Sequence, residues 1–188
     1  MKKHIFIVLI SLLLPATILA QTWTNDPPHS RMEFTISHNL ISELGGVFND
    51  YTITAQGAET DFSDTTIAVV VQTKSINTHV EQRDEHLRSP DFFNVDKFPE
   101  MRFKSNQVRQ IDRNTFLVTG DLTLNGISNT IDLTMVHNGS FEKDGKTTSG
   151  ITVSGVILRS DFELGSKFPI AVIGDKVTLT INAEMKKE

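Results

Sequence analysis

The chain has 188 residues, of which 38% are hydrophobic, and it carries a formal net charge of -5 at pH 7. This length predicts one domain, or at most two. The chain has no cysteine, which excludes disulfides, thiolate metal sites, cysteine nucleophiles and a lipid-modified N-terminal cysteine. The acidic balance argues against nucleic acid as a partner, because that binding depends on Lys and Arg neutralising phosphates.

The first twenty residues have the pattern of a secretory signal peptide. A basic start is followed by an apolar run from Ile5 to Leu14, and small Ala20 precedes Gln21. The run is shorter than the roughly 20 apolar residues that a membrane-spanning helix needs. We therefore predict export with cleavage after Ala20 and a single domain over residues 21–188; a retained N-terminal anchor is the alternative.

Most of the remaining chain alternates between apolar and polar residues, which predicts β-strands. Such segments occupy residues 31–37, 47–54, 66–72, 116–124, 131–135, 151–158 and 177–183. Asn125-Gly126 and Asp144-Gly145 are preferred pairs for two-residue hairpin turns, because both turn positions need a positive φ. The sequence therefore predicts about eight strands joined largely by hairpins.

One segment is predicted to be helical. Val80 to Leu87 is charged and lacks β-branched residues after its first position, and Pro90 ends it. About eight strands with one short helix indicate an all-β sandwich or barrel. We expect the long connection over residues 76–101, with the helix inside it, to cover one end or one side.

Motifs for catalysis and metal binding are absent from the sequence. The six histidines lack zinc-ligand spacing, and no nucleophile elbow, Walker loop or dinucleotide fingerprint occurs. Asp84, His86 and Ser89 are close in sequence, but a catalytic triad is a spatial arrangement. We therefore predict no catalytic residue, no metal and no cofactor.

Five stretches form a more specific pattern that extends over residues 22–184. They are Trp23 with HSRMEFTISH at 29–38, Gly46-Val47-Phe48, SINTHVEQRDEHLRSPDFFNVDKFPEMRFKS at 75–105, GDLTLNGISNTIDL at 120–133, and Arg159-Ser160-Asp161-Phe162. Together they resemble the YceI family of secreted bacterial lipid-binding proteins. Glu163 departs from that pattern, because the family often has Gly after Asp-Phe.

The resemblance implies a lipocalin-like antiparallel β-barrel of about eight strands. Members of the family are similar in enclosing a long apolar tunnel that holds a polyisoprenoid chain, such as a quinone tail, or a fatty-acid-like amphiphile. They are usually periplasmic, dimers are common among them, and no enzymatic activity is generally attached to the fold. We therefore expect a periplasmic protein that carries or stores an apolar lipid; a homodimer and transient membrane contact are further expectations.

The candidate ligand-binding residues combine the inward strand faces with this resemblance. The predicted tunnel lining comprises Phe34, Ile36, Val69, Val71, Phe92, Phe93, Phe103, Val118, Leu122, Leu133 and Phe162. His38 ends the first long strand on the same face as Ile36, so it is the candidate polar contact for a ligand head group.

Two other functions compete with lipid binding. The barrel interior could be filled by side chains, which would make the protein a structural or stress-response barrel without a ligand. Alternatively, the protein could be an enzyme of isoprenoid or lipid metabolism with His38 or His86 as the base. Organic extraction of the purified protein separates the first alternative from a binding protein.

Overall fold

The computed structural model describes residues 21–57, 62 and 65–188, so the predicted signal peptide lies outside the described residues. The strands are β1 (Gln21–Asn25), β2 (Arg31–His38), β3 (Ser42–Phe48), β4 (Tyr51–Gly57), β5 (Thr65–Gln72), β6 (Ile76–Asn77), β7 (Glu100–Asp112), β8 (Thr115–Leu124), β9 (Ile127–Lys143), β10 (Lys146–Leu158) and β11 (Ile173–Lys187). The helix α1 spans Glu81–Arg88, and short 3-10 turns occur at Pro27–His29, Thr73–Ser75 and Arg159–Phe162. Among the helices described, none has the length and apolar character needed to cross a bilayer.

The eleven strands form a closed antiparallel barrel with eight strand positions around its axis, which we call walls. Three of these walls each consist of two short strands. β1 and β2 both pair with β11 and so act as one interrupted wall. β4 and β3 together form the next wall, and β5 and β6 the third. β7 to β11 follow as a meander, and the pairing of β11 with β1 and β2 closes the barrel. The predicted fold is confirmed.

The two predicted hairpin turns are also confirmed. Leu124 pairs with Ile127 across a turn in which Asn125 and Gly126 have φ values of 52° and 78°. The second turn has the same form, with φ values of 53° at Asp144 and 73° at Gly145. Positive φ at both turn positions matches the right-handed twist of the flanking strands.

The prediction of one continuous strand over residues 47–54 is wrong. The chain bends at residues 49–50 and restarts as β4, so Phe48 and Ile53 are both buried although their positions have opposite parity. Side-chain and backbone atoms of Ser75 accept hydrogen bonds from the backbone N–H groups of Asp50 and Asn49, at 3.1 and 3.2 Å. These bonds from a distant segment hold the bend.

The predicted helix is confirmed as α1, and hydrogen bonds fix its start. The Asp84 carboxylate accepts bonds from the backbone N–H and hydroxyl of Thr78, at 2.8 and 2.5 Å. The Arg83 guanidinium donates to the Thr78 hydroxyl at 2.7 Å and to its carbonyl at 2.8 Å. Arg83 and Asp84 therefore tie the connection to the helix.

Glu163, where the sequence departs from the family pattern that it resembles, adopts a left-handed conformation. It caps the 3-10 turn Arg159–Phe162 with a φ of 54° and a ψ of 23°. An L-residue with a side chain is disfavoured in this region by about 1–2 kcal/mol, whereas Gly is not. Glu163 therefore forms a turn that Gly would favour.

The two ends of the barrel differ. At the packed end, where β1 begins and β11 finishes, Trp23 is fully buried and its ring lies 5.3 Å from that of Phe62. At the cavity end, where β2 and β8 finish, the connection containing α1 and the segment 159–172 cover the barrel. Within the described residues, a large internal space lies at the cavity end.

An apolar cavity at one end of the barrel

The cavity has a volume of about 410 Å³, which falls within the range of small-molecule sites. Side chains of β2, β3 and β5 to β11 form its walls, while α1 and the segments 92–93 and 164–173 form its cover. Most of the lining side chains are aliphatic or aromatic. Such a space favours an apolar ligand over a polar one, because buried polar ligand groups would need hydrogen-bond partners.

Ten of the predicted site residues line this cavity. They are Phe34, Ile36, His38, Val69, Val71, Phe92, Phe93, Phe103, Leu122 and Leu133. Six elements that are distant in sequence bring these side chains together. Their role in binding a ligand remains a prediction.

The placement of Val118 and Phe162 is corrected, because neither of them lines the cavity. Val118 is 2% exposed in the filled part of the barrel. Phe162 is 1% exposed within the cover, and its carbonyl accepts a bond of 3.1 Å from the Asn125 side chain. Alternation predicts which face of a strand points inward, but not the level along the barrel at which the interior is hollow.

Many lining residues were not among the predicted site residues, and two groups of them are informative. The first is on β11, where Val177, Leu179 and Ile181 line the cavity. Their alternation predicts a strand face, and closure of the barrel next to β2 brings that face to the cavity. The second group is Phe168 and Val172 in the preceding loop, together with Ile173 at the start of β11, in a stretch with no periodicity that could have indicated it.

Three lining side chains lie flat against glycines of neighbouring strands, and this keeps the centre open. A Cβ built on Gly46 would come within 2.6 Å of the Phe34 ring, and one on Gly120 within 2.5 Å of the Phe103 ring. Likewise, a Cβ built on Gly155 would come within 2.4 Å of the Leu133 methyl Cδ2. The missing side chains leave room at the wall, so these large residues need not point toward the barrel axis.

A buried arginine holds the cover in place. Arg159 is 4% exposed, and its Nε donates to the carbonyl of Gly174 at 3.0 Å. Nη1 donates to the carbonyls of Leu164 and Gly165, both at 2.9 Å, and Nη2 to two further carbonyls of the same loop. All five guanidinium N–H groups are used. No described carboxylate forms an ion pair with this guanidinium, so backbone dipoles alone compensate the charge.

An aromatic cluster joins α1 and its following segment to the loop at 164–173. The rings of Phe92 and Phe168 stack with centroids 5.2 Å apart, and the His86 ring meets both edge-on. The Asp91 carboxylate lies 2.5 Å from Lys167 Nζ and 3.3 Å from His86 Nε2. Hydrogen bonds from Lys167 and His86 hold the pKa of Asp91 below its usual value.

The polar groups at the cavity do not form a catalytic triad. Asp84 is bonded to Thr78, His86 contacts Asp91, and the Ser89 hydroxyl accepts a bond from the Asp91 N–H. The three residues that were close in sequence therefore have separate partners. The half-buried His38 lies at the rim, 3.2 Å from the amide nitrogen of the neighbouring asparagine.

A second cluster of charged groups lies away from the cavity, between β1, β2 and β11. His29 Nδ1 is 2.7 Å from Asp26 Oδ2 and 3.9 Å from Glu184 Oε2. These three groups are close enough to share a metal ion, but Lys186 Nζ already lies 2.7 Å from the same Asp26 oxygen. Sequence reasoning missed this cluster because Glu184 reaches it only through strand pairing. The prediction that no metal is needed stays a prediction.

Comparison with known proteins places this barrel in a family. The model of the YceI-like domain matches residues 23–185. The UPF0312 protein SA2479 of Staphylococcus aureus is 34% identical over 142 residues, which are 74% of this chain and 80% of that protein.

Solved structures show the same fold. The Campylobacter jejuni YCEI protein superposes with a TM-score of 0.74 at 32% identity, covering 79% of this chain and 87% of that one. A polyisoprenoid binding domain from Saccharophagus degradans gives a TM-score of 0.62 at 16% identity, covering 88% and 97%. The motifs, the barrel and these matches agree, and the chain belongs to the family of YceI-like domains.

Proposed function

We propose that this protein binds a long apolar chain, such as a polyisoprenoid or the tail of a quinone, inside the cavity, and carries or stores it in the periplasm. The observation that supports this most directly is a space of about 410 Å³ walled by aliphatic and aromatic side chains of a closed barrel. The similar fold of a domain described as polyisoprenoid binding supports the same ligand class.

The energy available from apolar contacts is sufficient for such a ligand. An isoprene unit contributes five apolar carbons, and burial yields about 0.8 kcal/mol per CH₂ group, or roughly 3–4 kcal/mol per unit. Part of this gain is offset by the ordering of ligand and protein on binding. A few units still give useful affinity without a charged anchor, which fits a lining with few polar groups.

The contacts made by the side chains at the cavity rim also fit a protein that binds a ligand without catalysing a reaction. His86 contacts Asp91 and two aromatic rings, and the buried Arg159 has every donor occupied by carbonyls. These contacts suit a cover more than a reacting centre. His38, which lines the cavity, is the candidate contact for the polar end of a ligand.

The test is organic extraction of protein purified from its native envelope, followed by mass spectrometry. We expect a polyisoprenoid or prenylated quinone close to one per barrel. The same preparation, by N-terminal sequencing, should begin at Gln21. A protein that carries no lipid, and that takes up none when a prenylated quinone is supplied in detergent, would favour the structural barrel instead.

A further inference from the structure

Two adjacent loops at the cavity end expose a continuous run of apolar side chains. In the turn between β2 and β3, Leu40 and Ile41 are 73% and 88% exposed. In the loop before β11, Ile170 and Val172 are 58% and 38% exposed. The Asn39 N–H donates to the Val172 carbonyl at 2.9 Å, so the two loops lie side by side. We call the residues 40–41 and 169–172 the rim patch.

The rim patch continues directly into the cavity. Val172 is partly exposed and also lines the cavity, and its neighbour Ile173 lines it too. On the other loop, the cavity-lining His38 is two residues from Leu40 and pairs with Ile173 across the strands. An apolar surface therefore runs without interruption from the outside of the protein to the binding space.

The backbone at Leu40 indicates that this exposure is not a by-product of the turn. Leu40 has a φ of 61°, a left-handed conformation that disfavours a branched side chain and favours Gly or Asn. Its side chain is mostly in water, so packing against the barrel does not compensate for the strain. A strained and exposed apolar residue suggests a partner that the free protein lacks.

The chemistry of the patch identifies that partner. Residues 38–42 and 168–173 contain no Lys, Arg, Asp or Glu. A patch without charges fits the apolar interior of a bilayer better than an anionic head-group surface, which basic clusters recognise. A long apolar chain such as the proposed ligand also partitions into the interior of a bilayer, so loading must bring the cavity rim to a membrane.

We propose that the rim patch inserts into the surface of a phospholipid bilayer and so opens the cavity toward lipid for loading and unloading. This inference rests on the proposed function for the identity of the cargo. It adds a defined membrane-contact surface at one end of the barrel. The packed end, whose hairpins carry Ile111 and Phe141, faces away from the membrane in this arrangement.

The experiment is flotation of the purified chain, lacking residues 1–20, with phosphatidylcholine vesicles at low and high salt. The patch variant is Leu40→Asn with Ile170→Asn, since Asn tolerates the left-handed conformation at position 40. The matched control is Ile111→Asn with Phe141→Asn, which removes side chains that are 49% and 57% exposed at the packed end. Melting curves confirm that each variant is folded.

We expect the unmodified protein to float with vesicles at both salt concentrations. The patch variant should lose at least about tenfold in vesicle affinity, because one buried aliphatic side chain contributes about that factor or more. Its melting temperature should stay level or rise, since Asn relieves the strain at position 40. The control should bind vesicles like the unmodified protein.

Three results would contradict insertion of the rim patch into a bilayer. They are no vesicle binding by the unmodified protein, equal losses of vesicle affinity in both variants, or a dimer of the unmodified protein that dissociates in the patch variant but not in the control. The last result would assign the patch to an interface between two copies. Uptake of a prenylated quinone from detergent, measured on the same proteins, tests the proposed function separately. Vesicle binding without any quinone uptake would refute the cargo and leave the membrane contact standing.

Discussion

The packed end and the cavity end are built from the same eight walls, yet among the described residues the cavity end surrounds a large internal space and the packed end is filled by side chains. At the packed end, bulky side chains on successive strands meet at the axis, and Trp23, Phe116 and Met135 are each at most 1% exposed. At the cavity end, Phe34 and Phe103 lie back against glycines of neighbouring strands. An eight-stranded barrel has room for either side chains or one slender ligand, and this chain uses each arrangement at one end.

The comparison also separates two kinds of closure. Trp23 and Phe62 fill the packed end from within, so burial of apolar area holds it shut. Loops cover the cavity end from outside, and hydrogen bonds from Arg159 together with the stack of Phe92 on Phe168 hold them. We therefore expect the cover to open more readily than the packed end.

The largest expected difference comes from placing the same charge at each end. Val118 and Val71 are 2% and 3% exposed, but only Val71 lines the cavity. An unpaired carboxylate in a packed core costs several kcal/mol, against a total stability of about 5–15 kcal/mol. We expect Val118→Asp to unfold or nearly so. Val71→Asp should fold, melt at a lower temperature and carry no polyisoprenoid, since water can hydrate its carboxylate in the emptied cavity.

Melting curves and the lipid content of an organic extract are measured for both variants. The comparison fails if both variants unfold alike, which would mean that the cavity is too tight to hydrate a charge. It also fails if Val71→Asp keeps its full complement of lipid.

Removing the arginine that holds the cover should have the next largest effect. Arg159→Leu leaves the carbonyls of Leu164, Gly165 and Gly174 without their donor in a buried setting. We expect a loss of about 3 kcal/mol, or roughly 6–12 °C in melting temperature, for a chain of this size. Limited proteolysis should find new cleavage within residues 163–172, while the packed end stays protected. Unchanged proteolysis would show that the loop is held without the guanidinium.

A smaller change should narrow the cavity without touching the packed end. In Gly155→Ala the new Cβ meets the Leu133 methyl, which must turn toward the barrel axis. We expect a stability cost of about 1 kcal/mol and a clear drop in bound polyisoprenoid. Gly150→Ala is the control on the same strand, because its Cβ would lie 3.5 Å from the nearest atom, in Asn138. Equal lipid content in the two variants would contradict the role of the glycine walls.

The smallest effect is expected in the charged cluster beside the packed end. The hydrogen bond to Asp26 raises the pKa of His29, and bonds from Lys186 and His29 lower the pKa of Asp26. The contribution of His29 to folding stability is therefore complete below its unfolded pKa of about 6.5, and it is lost as pH rises through its folded pKa. The Asp26 contribution is lost as pH falls through its own lowered pKa.

A His29→Gln variant tests this direction of the pH dependence of stability. The melting temperature of the unmodified protein should exceed that of the variant by more at about pH 5.5 than at about pH 8.5. Because His29 lies at the surface, we expect only a small difference in melting temperature. A difference that grows toward high pH would reverse the assignment.

The elements governed by local chemistry could be predicted from the sequence. Asn125-Gly126 forms its turn because those two residues accept positive φ, and the inward face from Phe116 to Leu124 follows from the period of a strand. Ten of the twelve predicted site residues also line the cavity, because inward faces of a closed barrel converge. The resemblance, more than the periodicity, indicated that the interior is hollow.

What only the tertiary structure decided depends on contacts between distant segments. Phe48 and Ile53 both turn inward because Ser75 holds a bend between them, which alternation alone cannot reveal. Val118 belongs to the buried core cluster with Trp23 and Met135 and does not line the cavity, although its strand face is the one that alternation predicts. The loop before β11 shows no periodic pattern, and its position is set by a buried guanidinium that binds five carbonyls. Local propensity acts over a few residues, whereas the depth of a cavity and the path of its cover are set by packing across the whole barrel.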